Sequence, residues 1–377
     1  MSMISKLNSY VIILAAGFGT RLKPLSNRIP KPLIDINGQT IISRIISNFE
    51  EAGFKKFCII VGYKKDLIKN EVKKNKNLQI KVITQEKPLG MADAIEIAFG
   101  KINHTFEKGE ISNFFITAAD IIFSKTEILR MYDLYQNSKS DIILSLMRSK
   151  DNKIAGGHGN VKISEDSNLS KDTDINHGLS IVDVIEKPII EQIFSEYYSL
   201  PLYLANRKIM KFLKTVNLSE RGEKEFQDVI KNAIAYGQNI RGIKIIDSLI
   251  TNQTIGKFHL TNLKDIIKMN SRFLFGLNLD KFRGNTPKCI EPVKIQSGSK
   301  IGDNVRLGPN VIIGKNCELG NSCELSNVLL YDNAYIGKSN KLEWCIIDEN
   351  IHLPENFKGK ECFITRNKKN DLEIIKF

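Results

Sequence analysis

Two glycines and two fixed cations near the amino terminus carry the clearest chemistry in the chain. The stretch Leu14-Ala15-Ala16-Gly17-Phe18-Gly19-Thr20-Arg21 continues a strand-like apolar run that begins at Tyr10, and Lys31 stands in Ile29-Pro30-Lys31-Pro32-Leu33, ten residues beyond Arg21. Glycines directly after a first strand let the backbone approach a phosphate and turn its N–H groups toward it. The dinucleotide fingerprint would need another Gly three residues after Gly19, where Leu22 stands, and the Walker loop would need Gly-Lys-Ser/Thr, absent from this loop. What is left is a glycine loop with the cations Arg21 and Lys31. Such a loop can hold a polyphosphate and a second phosphate together while charge moves between them.

The elements that must position these groups can be read from length and pattern. A chain of 377 residues with 42% apolar and 26% charged content is expected to hold two globular domains. No apolar run approaches the roughly 18 residues of a membrane helix, and residues 1–9 lack the apolar core of a signal peptide; a cytoplasmic location is expected. Six cysteines without a Cys-x-x-Cys pair read as reduced core residues. Lys plus Arg exceeds Asp plus Glu by 13. The cations are scattered, which favours anionic small substrates over nucleic acid.

Up to about residue 247, short β-branched runs (10–14, 56–61, 80–83, 113–116, 141–147, 182–185, 240–245) alternate with stretches of helical spacing such as 41–52 and 91–101. This predicts an α/β, Rossmann-like, mostly parallel sheet with helices on both faces. A helical stretch at 263–275 follows. Beyond it Ile295, Ile301, Leu307, Ile313, Leu319 and Leu325 recur every six residues, and after a one-residue slip Leu330, Ile336 and Leu342 resume. Gly302, Gly308, Gly314, Gly320 and Gly337 follow the aliphatic, and Asn304, Asn310, Asn316, Asn333 and Asn340 are expected at the turns. A hexapeptide repeat of this form predicts a parallel β-helix of three to four coils, with corners that need Gly or Asn for positive φ. The expected domains are 1–250 (catalytic), 251–287 (helical linker), 288–358 (β-helix) and 359–377 (tail).

The segment from Leu14 to Leu33 resembles the signature of the sugar-phosphate nucleotidylyltransferases, and the chain with both parts resembles members that append a left-handed β-helix. The resemblance covers nearly the whole chain and implies roles residue by residue. Leu14, Ala15, Ala16, Gly17, Gly19 and Thr20 would form the nucleotide loop, with Arg21 on the triphosphate and Lys31 on the α-phosphate. Gln85 and Gly90, in Gln85-Glu86-Lys87-Pro88-Leu89-Gly90-Met91-Ala92-Asp93, would meet the base, Gly90 by letting it lie against backbone. Asp120 would hold Mg²⁺, with Ala119 where the family usually has Gly. Gly159 would line the sugar pocket, while Glu186 and Lys187, in a Glu-Lys-Pro element, would bind a sugar hydroxyl and the sugar phosphate.

The implied reaction is nucleotidyl transfer from a nucleoside triphosphate to a sugar 1-phosphate. Glucose 1-phosphate with dTTP or UTP is placed slightly ahead of mannose 1-phosphate with GTP. Transfer to a non-sugar phosphate such as phosphocholine, or a catalytically silent nucleotide-sugar-binding subunit, are the alternatives, because Pro201-Leu202-Tyr203 replaces the family's Gly-Ile-Tyr and His259 stands where a second metal carboxylate is usual. Asp228 reads as structural. The short β-helix, whose one histidine is His352, is expected to serve homo-oligomer assembly or regulation rather than acetyl transfer. If His259 stands for the second carboxylate, Mg²⁺ affinity should depend on bound triphosphate, since imidazole is a poor partner for so hard an ion. His259→Asp should then lower the Mg²⁺ concentration giving half-maximal activity; an unchanged Mg²⁺ titration rejects that alignment.

Overall fold

A computed structural model describes residues 9–102, 113–165, 178–245, 259–279, 283–284 and 286–377. The chain divides into two compact units, Met1–Ile34 with Thr40–Gln253 and Asp35–Gln39 with Thr254–Phe377. The expected boundary at 250/251 lies outside the described residues.

The first unit is built on a nine-stranded sheet. Its strands are β1 (Tyr10–Ala15), β2 (Lys56–Val61), β3 (Gln79–Thr84), β4 (Asn113–Ala118), β5 (Ile142–Arg148), β6 (Gly159–Ile163), β7 (Leu179–Glu186), β8 (Tyr197–Asn206) and β9 (Ile240–Lys244), in spatial order β3-β2-β1-β4-β8-β5-β9-β7-β6. From β3 to β4 the pairings are parallel, as is β5 with β9, whereas β8 runs antiparallel between β4 and β5. Helices α1 (Ile41–Glu51), α2 (Lys65–Val72), α3 (Met91–Ile102), α4 (Lys125–Ser138) and α5 (Phe226–Ala235) cover it. The central strands are apolar on both sides because both faces are covered. On β4, Phe114 meets Phe99 of α3 at 4.4 Å between ring centres, while its neighbour Phe115 meets Phe49 of α1 at 5.2 Å on the opposite face. That is the two-residue strand period expressed in aromatic contacts. Pro201, without an N–H to give the ladder, sits where the β8–β5 register slips between Leu200 and Tyr203.

In the second unit, α6 (Leu263–Phe273) opens on a capping box in which Asn262 and Asp265 satisfy each other's backbone N–H groups. The β-helix follows as in-register parallel ladders. Ile295, Ile313, Leu330, Ile347 and Ile364 stack on one face, and Ile301, Leu319, Ile336 and Leu353 on another. Beside the first ladder runs an inner column of Val293, Val311, Val328, Cys345 and Cys362, all buried, with Cys345 and Cys362 in sulfur contact at 3.6 Å.

Several expectations are corrected here. The slip recurs at the same corner of every later coil: the first step, Ile295 to Ile313, spans 18 residues, and each step after it spans 17. Asn327, Trp344 and Glu361 occupy that corner with positive φ. The left-handed position expected for Asn340 belongs to Ser339 (φ 56°); Asn340 is buried and donates its amide to the carbonyls of Gly337 and Pro354, at 2.6 and 2.8 Å. Gly320 owes its place to crowding rather than to φ, since a Cβ there would stand 2.7 Å from the backbone N of Lys338 in the next coil. The stack begins at Leu277–Leu279, paired with Val293–Ile295, and runs to Lys358–Arg366. The expected tail is therefore mostly strand, and Leu372–Lys376 folds back antiparallel to cover the last edge.

Candidate active site

The glycine loop begins where β1 stops. Gly19, at φ 62°, turns the loop, and a Cβ there would press on the Lys31 stem at 3.3 Å. Around Gly17 no atom lies within 4 Å of the missing Cβ, so its backbone faces open space. Arg21, in the short turn Thr20–Leu22, is exposed. Lys31 Nζ lies 2.6 Å from Asp120 Oδ2, with side chains 18% and 24% exposed. Asp120 follows the end of β4, and its loop is pinned to β1 because Ala119 N–H donates to Leu14 O at 2.9 Å. The methyl of Ala119 is buried, accommodated without loss of that bond.

A small cavity of about 180 Å³ is lined by Ala16 and Phe18 of the glycine loop together with Gly62, Tyr63, Gln85 and Pro88 among others. Phe18 and Tyr63 approach with ring centres 5.5 Å apart. Gly62 is glycine by contact, since a Cβ would lie 2.8 Å from Ala16 O. Gln85 is 5% exposed, and its Nε2 donates to Asp93 Oδ2 at 2.7 Å. An ionised carboxylate only accepts, so Asp93 orients the amide and leaves Oε1 as the end turned elsewhere. Gly90 is glycine by contact as well: at φ 100°, its Cβ would stand 2.6 Å from Lys224 O and 2.7 Å from Lys224 N.

Gly159 and Glu186 are direct cross-strand partners. Gln227, at the start of α5, lies on Gly159, where a Cβ would meet its Nε2 at 2.5 Å; that amide donates to Tyr203 OH at 3.0 Å. Lys187 is held at φ 44°, its N–H donating to His158 O at 3.1 Å, and its Nζ is 3.6 Å from Glu186 Oε1. Burial pushes the Glu186 carboxyl above the ordinary range; Lys187 and Arg221 pull it down and Glu225 pushes it further up.

Residues 10–247 match the nucleotidyl transferase family model, and residues 289–367 match the model of the GMPPB C-terminal domain. The chain belongs to the nucleotidyl transferase family. Within it this chain is a sugar 1-phosphate nucleotidylyltransferase, with the β-helix behind its catalytic half. The bifunctional protein GlmU of Methanococcus maripaludis strain S2 is 34% identical over 352 residues, which cover 91% of this chain and 74% of that protein. GlmU of Methanococcus aeolicus is 31% identical with the same coverage. A solved UDP-glucose pyrophosphorylase with bound UDP-glucose superposes with a TM-score of 0.57 at 17% identity, covering 70% of this chain and 98% of its own, and so agrees in fold.

In this nucleotidyl transferase His259 belongs to the second unit, in an isolated bridge just ahead of the Asn262 cap of α6. Its neighbours Lys257 and Phe258 lie outside the described residues. His352 packs beside Tyr335 at 5.6 Å between ring centres. Among the described residues, no group of three or more His, Cys, Asp or Glu side chains could hold a metal ion. Sequence reasoning did not assign Phe18, Tyr63, Asp93, Arg221, Lys224 or Gln227. An exposed Phe inside a glycine loop was a usable signal for the first, while the others depend on contacts between distant segments. Replacing Arg21 or Lys31 by Ala should lower turnover by about 10² to 10³, the usual cost of one preorganised charge stabiliser. Steady-state pyrophosphate release checks this, and near-normal turnover in either variant rejects the assignment.

Proposed function

We propose that this enzyme transfers a uridylyl or thymidylyl group from UTP or dTTP to glucose 1-phosphate. The observation that carries the reading is the Lys31–Asp120 pair at 2.6 Å beside the glycine loop. An oxygen of the sugar phosphate attacks the α-phosphorus in line, the bond to the β-phosphate oxygen breaks, and pyrophosphate leaves. No side-chain nucleophile or base is required, because the acceptor is already an anion. The protein aligns two polyanions and neutralises the charge that builds between them.

Lys31 moves from Asp120 to the α-phosphate, Arg21 takes the departing pyrophosphate, Lys187 holds the sugar phosphate and Glu186 accepts from a sugar hydroxyl. Asp120 offers one hard carboxylate oxygen in a partly exposed position at a strand end, which fits a Mg²⁺ ion that takes its remaining ligands from phosphate and water. When bound, the ion would add positive charge beside the triphosphate. Gln85 Oε1, aimed by Asp93, suits the imide N–H of uracil or thymine. Guanine N1–H presents the same proton, so GTP with mannose 1-phosphate is the competing pair in the test. Assembly of a homo-oligomer through the flat β-helix faces is part of the same reading.

A panel of UTP, dTTP and GTP with glucose and mannose 1-phosphates should give its highest metal-dependent pyrophosphate release with a pyrimidine triphosphate and glucose 1-phosphate. Silence across the panel with nucleotide-sugar binding retained would favour a regulatory subunit instead. Because the Glu186 carboxyl is raised, its accepting form is lost at higher pH than for an ordinary glutamate. The KM for sugar 1-phosphate should therefore climb early as pH falls, and Glu186→Gln should flatten that climb. Light scattering of the full chain should give a mass of more than one chain per particle; a monomer refutes assembly.

A further inference from the structure

We infer that the turn 219–225 is a strap that sets the sugar end of the site from the base end, with Gly90 as its joint on one side and Arg221 as its positioning residue on the other. The inference rests on the assignment of residues 85–90 to the base and of Glu186 to the sugar. At the base end, Lys224 N–H donates to Leu89 O at 2.7 Å and Ala92 N–H donates to Lys224 O at 3.0 Å, which brackets Gly90 between two backbone bonds. A Cβ there would fall 2.6 to 2.7 Å from the Lys224 backbone, so any side chain at position 90 must displace the strap. Lys224 also reaches Glu96 on α3, Nζ to Oε2 3.1 Å. Gln85 Nε2 bonds Asp93 and also reaches Gly90 O at 3.4 Å, so the base-reading amide leans on the same loop.

The strap is itself closed. Ser219 N–H donates to Glu223 O at 2.9 Å, Gly222 N–H donates to Ser219 O at 2.8 Å, and Ser219 Oγ donates to Glu225 Oε1 at 2.9 Å. At the sugar end Arg221 Nη2 lies 2.6 Å from Glu225 Oε1 and 3.7 Å from Glu186 Oε1. These carboxylates have side chains only 9% and 15% exposed and repel each other. Arg221 thus bridges the two carboxylates and, together with Lys187 at 3.6 Å from the same oxygen, holds Glu186 in place. A shift of the base loop moves Lys224, hence the turn, hence Arg221. Short, directed contacts link all of these segments, so base occupancy and sugar affinity become coupled.

The test compares KM for UTP and for glucose 1-phosphate in the full chain and in Gly90→Ala, Arg221→Ala, Arg221→Lys and the Gly90→Ala/Arg221→Ala double variant. Gly90→Ala should raise the sugar 1-phosphate KM roughly tenfold, although Gly90 is assigned to the base. Arg221→Ala should raise the same KM with kcat and the UTP KM within about twofold, and Arg221→Lys should recover most of the loss. The double variant should raise the sugar KM by less than the product of the two single effects, because both act through one strap. A Gly90→Ala effect confined to UTP, or a strictly multiplicative double variant, overturns the inference. If Arg221→Ala does not fold, the Gly90→Ala arm decides. A wild type that releases no pyrophosphate with any pairing overturns the underlying functional reading, and this inference with it; an active wild type with unmoved sugar KM values overturns the inference alone.

Discussion

The ion pair of Lys31 with Asp120, at 2.6 Å beside the glycine loop, is the interaction on which the proposed site depends. Each group is the other's counterion before substrate arrives, so neither has to stand desolvated and unbalanced in a partly buried loop. In the proposed reaction the pair is exchanged rather than merely broken: the ammonium passes to phosphate and the carboxylate to a cation. An exchange of like for like costs far less than stripping either charge bare. It also accounts for the bond from Ala119 N–H to Leu14 O, which keeps the Asp120 loop in step with the strand that feeds the glycine loop.

The sheet supplies the rigidity this exchange needs. β1 is buried on both faces and paired in parallel on both edges, so the loops at its carboxyl end are fixed by an enclosed strand. The antiparallel β8 then carries Tyr203 inward to accept from Gln227, which in turn lies on Gly159. One buried tyrosine thus ties β8 to α5 and to the strand that carries Gly159. Proline at position 201, an expected source of altered sugar contacts, sits in the register slip that lets a central strand tolerate it.

The β-helix obeys a different constraint, in which each coil must repeat the backbone of the last so that its ladder stays in register. Aliphatics stack on aliphatics, and left-handed corners stack on left-handed corners. Where one corner shortened by a residue, every later coil shortened at the same place, because an unequal coil would break the ladder on either side. Trp344 accepts positive φ between the coils that carry Asn327 and Glu361, and Glu361 does so in the last coil, where Phe377 N–H donates to its carbonyl at 3.0 Å.

The sequence by itself determined the period of the elements and the chemistry of the groups. The β-branched runs became strands near their expected limits, the hexapeptide count became ladders, and the glycine loop, lysine and aspartate came together at one strand end. These are local properties, in which a side chain's branching, charge or missing Cβ speaks for its own position. Tertiary structure alone decided which distant groups touch. That the missing Cβ of Gly90 makes room for the Lys224 backbone could not be read from its own segment; Asn340 looked like a turn residue, yet it is buried across two coils. Arg221, Asp93 and Gln227 carried no signal beyond a common polar residue, since what each does is set by the partner folded against it. Spacing reports the conformation of one segment, while a contact depends on two, and only the packed chain brings the second to the first.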